Sequence, residues 1–191
     1  MLFRSGILRD AGGTTDAKVA RTWQWTISLW KNQGLNAAQA AAVAQDDREQ
    51  VAARVMQRYE ERLMAYQAVD FDDLIVLPLK LLLNDREAAA KWQDTFAHLL
   101  VDEYQDTNAV QYELMKALVG GHGVFTAVGD DDQSIYGWRG ATIDNLKRLP
   151  QDFPKLKVIP LEQNYRSTGA ILRAANHVIA RNPKLFEKKL W

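Results

Sequence analysis

Past about Lys91 the chain takes on a rhythm that few folds can satisfy: short apolar runs that stop at acidic residues, with helical patterns between them. Ala97 to Val101 reads as a buried strand, Asn108 to Val119 as a helix, Val124 to Val128 as a second strand, and Leu156 to Leu161 as a third. Strands separated by helices pair in parallel, and a parallel sheet needs helices laid over it, so the fold class is α/β. Ligands of such sheets gather at the carboxyl ends of the strands. Two of the three runs end there in Asp102-Glu103 and in Gly129-Asp130, and that is where chemistry is expected.

The first part of the chain follows a different grammar. Trp23, Ile27 and Trp30 are spaced for one face of a helix and are core candidates. From Asn36, with Gln39 three residues on as a capping partner, an alanine-rich stretch runs to about Ala68. It carries Val51, Val55, Tyr59 and Leu63 at four-residue steps, which predicts one long amphipathic helix. Asp70 is placed to cap a further helix that begins Phe71-Asp72-Asp73-Leu74, and Pro78 should kink or restart it. A last helix is expected from about Ser167 to Arg181, ending near Asn182-Pro183.

Composition excludes several classes of function. Lysine plus arginine (24) equals aspartate plus glutamate (24), so no overall positive field draws the chain to nucleic acid or membrane, and any DNA contact must come from local patches. There is no cysteine and there are only three scattered histidines, which excludes disulfides and thiolate metal sites and argues against a histidine metal cluster. No apolar run approaches the roughly 20 residues of a membrane helix. The expectation is a soluble, cytoplasmic protein with no membrane partner. The late basic group Lys184, Lys188 and Lys189 reads as a solvated tail.

Three segments carry the candidate chemistry. Leu99-Leu100-Val101-Asp102-Glu103-Tyr104-Gln105-Asp106 sets two adjacent carboxylates at a strand tip. A nucleotide-hydrolysing motor needs one carboxylate for the water shell of Mg2+ and another to orient the attacking water, although acidic pairs also follow strands simply because loops are polar. Gly129-Asp130-Asp131-Asp132-Gln133-Ser134-Ile135-Tyr136-Gly137-Trp138-Arg139-Gly140-Ala141 supplies a glutamine able to sense a terminal phosphate. Its aromatic-x-aromatic-Arg run can stack on bases or, equally, fill a core. Leu161-Glu162-Gln163-Asn164-Tyr165-Arg166-Ser167 offers an arginine for a phosphate, or for the surface, and a tyrosine for adenine.

Taken in this order, the three segments resemble the Walker B, third and fourth motifs of Rep/UvrD-type superfamily-one DNA helicases, and Phe71-Asp72-Asp73-Leu74 is similar to that family as well. The resemblance implies ATP and Mg2+ as cofactors and 3′ to 5′ translocation on single-stranded DNA with duplex unwinding. Asp102 would coordinate magnesium, Glu103 would be the catalytic base, and Gln133 would contact the terminal phosphate and the attacking water. Tyr136, Trp138 and Arg139 would engage single-stranded DNA, Tyr165 would pack on adenine, and Arg166 would reach the terminal phosphate.

The chain departs from that family in containing no Gly-x-x-x-x-Gly-Lys-Ser/Thr, the loop that cradles phosphates. It is therefore expected to be an internal piece of a helicase, inactive towards ATP when isolated. Residues 1–69 would be a helical insertion of the first motor domain, 70–158 the second half of that RecA-like domain, and 159–191 the start of the second motor domain. A partial sheet leaves an open edge, so the expected partners are single-stranded DNA and duplex junctions, the remainder of the helicase, and a second copy of the chain. The rival reading is a non-catalytic module that binds single-stranded DNA or a helicase subunit.

Overall fold

The computed structural model describes residues 2–191 and divides into two compact units. The first is the chain up to Leu99 together with Asn108–Val124, and the second is Leu100–Thr107 together with Phe125–Trp191. The elements in chain order are α1 (Leu2–Gly12), α2 (Ala17–Asn32), α3 (Ala37–Val43), α4 (Asp47–Ala65), α5 (Asp73–Asn84), α6 (Arg86–Thr95), β1 (Leu99–Val101), α7 (Ala109–Val119), β2 (Phe125–Ala127), α8 (Asp144–Asp152) and α9 (Gly169–Ile179).

Local hydrogen bonds start most of these helices where the sequence calls for it. Asn36 accepts the Gln39 amide at 2.9 Å while the Gln39 side chain accepts the Asn36 amide at 3.0 Å, and Asn108 with Gln111 repeats the same reciprocal cap at α7. The single long helix expected from Asn36 to Ala68 is instead two. Ala44 is extended, Asp46 accepts the Glu49 amide at 2.8 Å, and Glu49 in turn accepts the Gln45 amide, so Asp46-x-x-Glu49 is itself a helix start. Nor does Pro78 restart α5, which runs unbroken through it. The proline forgoes one bond, to the carbonyl of Leu74, and that residue is exposed to water.

The first unit is built on α2 and α4. Ile27 and Trp30 of α2 and Val55, Tyr59 and Leu63 of α4 are buried as their helical spacing predicts, Trp23 and Val51 are partly buried against them, and Met56, Ile7 and Leu8 join the same core. Beside this apolar core lies a buried charge. Lys31 is 3% exposed and its ammonium meets Asp70 at 3.0 Å and Asp73 at 2.6 Å. These two carboxylates also brace the turn into α5: Asp70 accepts the amide of Asp73, the first residue of the helix, and Asp73 accepts the Asp70 amide, while the N-cap residue Asp72 makes no side-chain cap bond. The Tyr59 hydroxyl donates to Asp70 at 3.0 Å. From the same face of α2, Ser28 donates to Asp72 and Asn32 accepts from Asn108, the cap of α7. One polar face of α2 therefore sets the starts of both α5 and α7, and Val76 and Leu79 of α5 then pack on Val110 of α7. Burial pushes the nearby Glu60 carboxyl above its usual value, against the pull of Lys31.

The sheet is parallel and has two strands, β1 and β2. The fold class is thus mixed α/β, with less sheet than the sequence predicts. The run Leu156 to Leu161 is not a strand: it has no ladder partner among the described residues, and Val158, Ile159 and Leu161 are exposed. The strand expected to be buried is open too, since Leu100 at the centre of β1 is 77% exposed. In the second unit the chain beyond β2 returns to the β1 end through Asn145 of α8. This residue is buried and donates to both the carbonyl and the hydroxyl of Thr107 at 3.0 Å. Phe125 and Phe153 pack with ring centres 4.7 Å apart. No helix of the described residues is long and apolar enough to cross a membrane.

Lys31→Ala is expected to cost about 3–5 kcal/mol of stability, because it leaves the Asp70 and Asp73 carboxylates buried without a counter-charge. Denaturant unfolding of the variant beside the wild-type chain measures this; a loss below about 1 kcal/mol would show that water reaches the pair.

Candidate functional site

The end of β1 turns at once. Asp102 and Glu103 are exposed, and Glu103 adopts φ 49° and ψ 44°, the left-handed region that a residue with a Cβ enters at a cost of roughly 1–2 kcal/mol. The turn is held from several sides. The Glu103 amide donates to the Asp102 carboxylate at 2.9 Å, the Asp106 amide donates to the Glu103 carbonyl at 2.9 Å, and the Tyr104 amide donates to the Val128 carbonyl at 2.9 Å. A buried side chain completes the restraint. Gln105 is 1% exposed, and its amide nitrogen donates to the Glu103 carboxylate at 2.8 Å.

Gln105 also reaches the end of β2. Its side-chain oxygen accepts the Asp130 amide at 2.9 Å, and its backbone carbonyl accepts the Ser134 hydroxyl at 3.4 Å. The approach is close enough to exclude a side chain at Gly129, where a Cβ would stand 2.9 Å from the Gln105 oxygen and 3.2 Å from the Tyr104 Cβ. One glutamine thus joins the two strand-end segments that the sequence marks separately. Sequence reasoning assigned it no role, and its only signal was a polar residue inside the Asp102–Asp106 run.

The segment after β2 holds the other candidates. Gln133 is exposed and donates to the Asp130 carboxylate at 2.7 Å. Three residues further on, Tyr136, Trp138 and Arg139 cluster: the Arg139 guanidinium lies 4.5 Å from the Trp138 ring centre and 5.4 Å from that of Tyr136. All three are exposed, Trp138 by 55%, which marks a surface platform and not core aromatics. Tyr165 and Arg166 are both exposed and sit on their own turn. The Tyr165 hydroxyl donates to Gln163 at 2.8 Å, and the Arg166 amide donates to Asn164.

The basic tail is not simply solvated. Lys188 binds the carboxylates of Asp130 and Asp131 and lies 3.2 Å from Asp132, which Lys184 also meets at 3.2 Å. Three aspartates with their oxygens this close could gather around a cation, and here the chain's own ammonium groups serve. Burial pushes the Asp130 and Asp131 carboxyls up, but the hydrogen bonds from Lys188 outweigh it. Gln133 adds to this at Asp130 and the Leu185 amide at Asp131, and both carboxyls lie below the usual range. Burial works against the Lys188 charge as well, and the three carboxylates override it and raise Lys188 above the usual lysine value. Asp102 and Glu103 also offer exposed carboxylate oxygens, hard donors of the kind a Mg2+ that keeps most of its waters takes.

Comparison with known proteins gives the family. Residues 4–154 match the family described as the UvrD/REP helicase N-terminal domain. The chain is 57% identical over 166 residues to the ATP-dependent DNA helicase Rep of Escherichia coli (strain K12), covering 87% of this chain and 25% of that protein. It is 43% identical over 185 residues to the Rep helicase of Buchnera aphidicola subsp. Baizongia pistaciae, with 97% and 28% covered. It is 41% identical over 185 residues to the ATP-dependent DNA helicase PcrA of Leuconostoc citreum, with 97% and 25% covered. The chain therefore spans about a quarter of the length of the curated relatives it matches.

The lysine–aspartate cluster has a definite pH window. The carboxyls titrate below their usual value in the folded chain, so their stabilisation is complete above the usual carboxylate pKa and is lost as pH falls through the lowered values. Lys188 titrates above its usual value, so its share is complete below the usual lysine pKa and is lost only as pH rises through the raised one. The Leu185 amide, which donates to Asp131 at 3.1 Å, reports the state of the cluster. Its hydrogen-exchange protection factor should stay level around neutrality and fall on acidification below the carboxylate range. In Lys188→Met it should already be low at pH 7.

Proposed function

Because this chain belongs to the UvrD/REP helicase family, we propose that it is the part of an ATP-dependent 3′ to 5′ DNA helicase that links the nucleotide site to single-stranded DNA. The observation that carries this reading is the continuous segment Asp130–Arg139. It bears Gln133 near one end and the exposed Tyr136, Trp138 and Arg139 platform at the other, and Gln105 bonds it to Glu103.

The residues have distinct tasks in this reading. Asp102 holds the water shell of Mg2+, and Glu103 orients the attacking water and takes its proton. Bound Mg2+ would neutralise charge on the phosphates of ATP. Gln133 contacts the terminal phosphate and the attacking water, Tyr165 packs on adenine, and Arg166 pairs with the terminal phosphate. Tyr136 and Trp138 stack on bases while Arg139, already lying against both rings, pairs with the DNA backbone. Residues 1–69 are then a helical insertion, 70–158 belong to a RecA-like first motor domain, and 159–191 open the second. The open sheet, with Leu100 bare at its centre, favours cover by the rest of a helicase or by a second copy. Duplex junctions are the DNA structures such a motor meets. A non-catalytic binding module is not favoured, since the relatives reported above are named ATP-dependent helicases.

Two measurements test this. With no phosphate-cradling loop in its sequence, the isolated chain should not turn over ATP. In a full-length family helicase carrying this segment, Glu103→Gln should preserve folding and ATP binding and lower turnover by roughly two orders of magnitude or more, as loss of a general base does. Near-normal turnover in that variant contradicts the role given to Glu103.

Trp138→Ala separates platform from core. Since Trp138 is more than half exposed, its removal should shift the melting temperature little. Single-stranded DNA binding should weaken by about 1–3 kcal/mol, read by titration at one salt concentration because phosphate contacts vary steeply with salt. A large drop in melting temperature with unchanged DNA affinity would return Trp138 to a packing role.

A further inference from the structure

Gln105 lies between two candidate groups and touches both, yet its buried position keeps it from meeting a substrate. Its side chain is used at each end: the amide nitrogen donates to Glu103, and the oxygen accepts the backbone amide of Asp130. Glu103 stands in a left-handed conformation, so its carboxylate direction depends on what restrains the turn. Asp130 begins the segment that carries Gln133, its carbonyl accepts the Gln133 amide at 2.9 Å and its carboxylate accepts the Gln133 side chain, so the placement of Asp130 bears directly on that of Gln133. Gly129 lacks the Cβ that would push the Gln105 oxygen away.

We propose that Gln105 is a positioning residue that sets the Glu103 carboxylate and the Asp130–Gln133 segment in register, so that the base and the phosphate-sensing glutamine are aimed together. It rests on the reading of Glu103 as the base. A glutamine suits this place because it offers a donor and an acceptor on one rigid amide plane, whereas glutamate would keep the acceptor and lose the donor. Leucine would fill the space and lose both.

That difference supplies the test. In the 191-residue chain, hydrogen exchange of the Asp130 amide should remain as slow in Gln105→Glu as in wild type. It should become at least about tenfold faster in Gln105→Leu, where the buried acceptor is gone. In a full-length family helicase carrying this segment, both variants should lower kcat for ATP about tenfold or more while KM for ATP stays within about threefold, the pattern of a misaimed base and not of lost binding. Combined with Glu103→Gln, the Gln105→Glu change should slow turnover no further, since it acts through the residue already removed. Gln105→Glu is close to the native shape and keeps the test alive if Gln105→Leu does not fold. Low turnover in Glu103→Gln with normal turnover in Gln105→Glu overturns the proposal alone. Independent, multiplying losses in the double variant overturn it as well. Near-normal turnover in Glu103→Gln overturns the role of Glu103 and this proposal with it.

Discussion

A polar group taken out of water must find a partner inside the protein, and in each unit one buried side chain that obeys this rule organises what surrounds it. In the first unit it is Lys31. An unpaired ammonium at 3% exposure would be costly, and so would Asp70 and Asp73 facing each other unaccompanied, but together they compensate. The same residues hydrogen-bond each other's amides at the turn into α5, so the ion cluster and the start of α5 are one structure.

In the second unit the corresponding residue is Gln105. Both strand ends there are unfavourable locally: Glu103 is left-handed without being glycine, and the Asp130 amide needs an acceptor where the ladder stops. Tertiary bonds offset both. Strain held in place by surrounding contacts is common where side chains must be aimed. The neighbouring platform is built the opposite way, with two rings tilted at 44° to each other and a guanidinium lying over both in the open. Rings already held against one guanidinium lose little freedom when a base joins them.

The acidic run Asp130–Asp132 shows how net charge conceals local balance. A chain of zero formal charge can still concentrate three carboxylates beside a strand end, provided that cations from elsewhere neutralise them. Lys184 and Lys188 do so, and the lowered carboxyls and the raised lysine are two views of one interaction. Asp102 and Glu103 remain exposed and are not enclosed by that cluster.

What the sequence determined by itself is local. The cap at Asn36, the faces of α2 and α4, the helix from Asn108 and the carboxylate pair at the end of β1 were all legible, whereas the N-cap of α5 falls at Asp72 and not at Asp70. Each depends on residues a few positions apart whose geometry the backbone dictates. The break at Asp46 was legible in the same way and was masked by the alanine-rich stretch that runs up to it. The tertiary structure alone decided that Leu156–Leu161 finds no ladder and that β1 is open on one face, because a strand exists only if another pairs with it. It also decided the partners that matter most: Lys31 with Asp70 across 39 residues, Gln105 with Asp130 across 25, and Lys188 with Asp130 across 58. At such separations no backbone period relates the two side chains, and only the packing of intervening elements brings donor to acceptor.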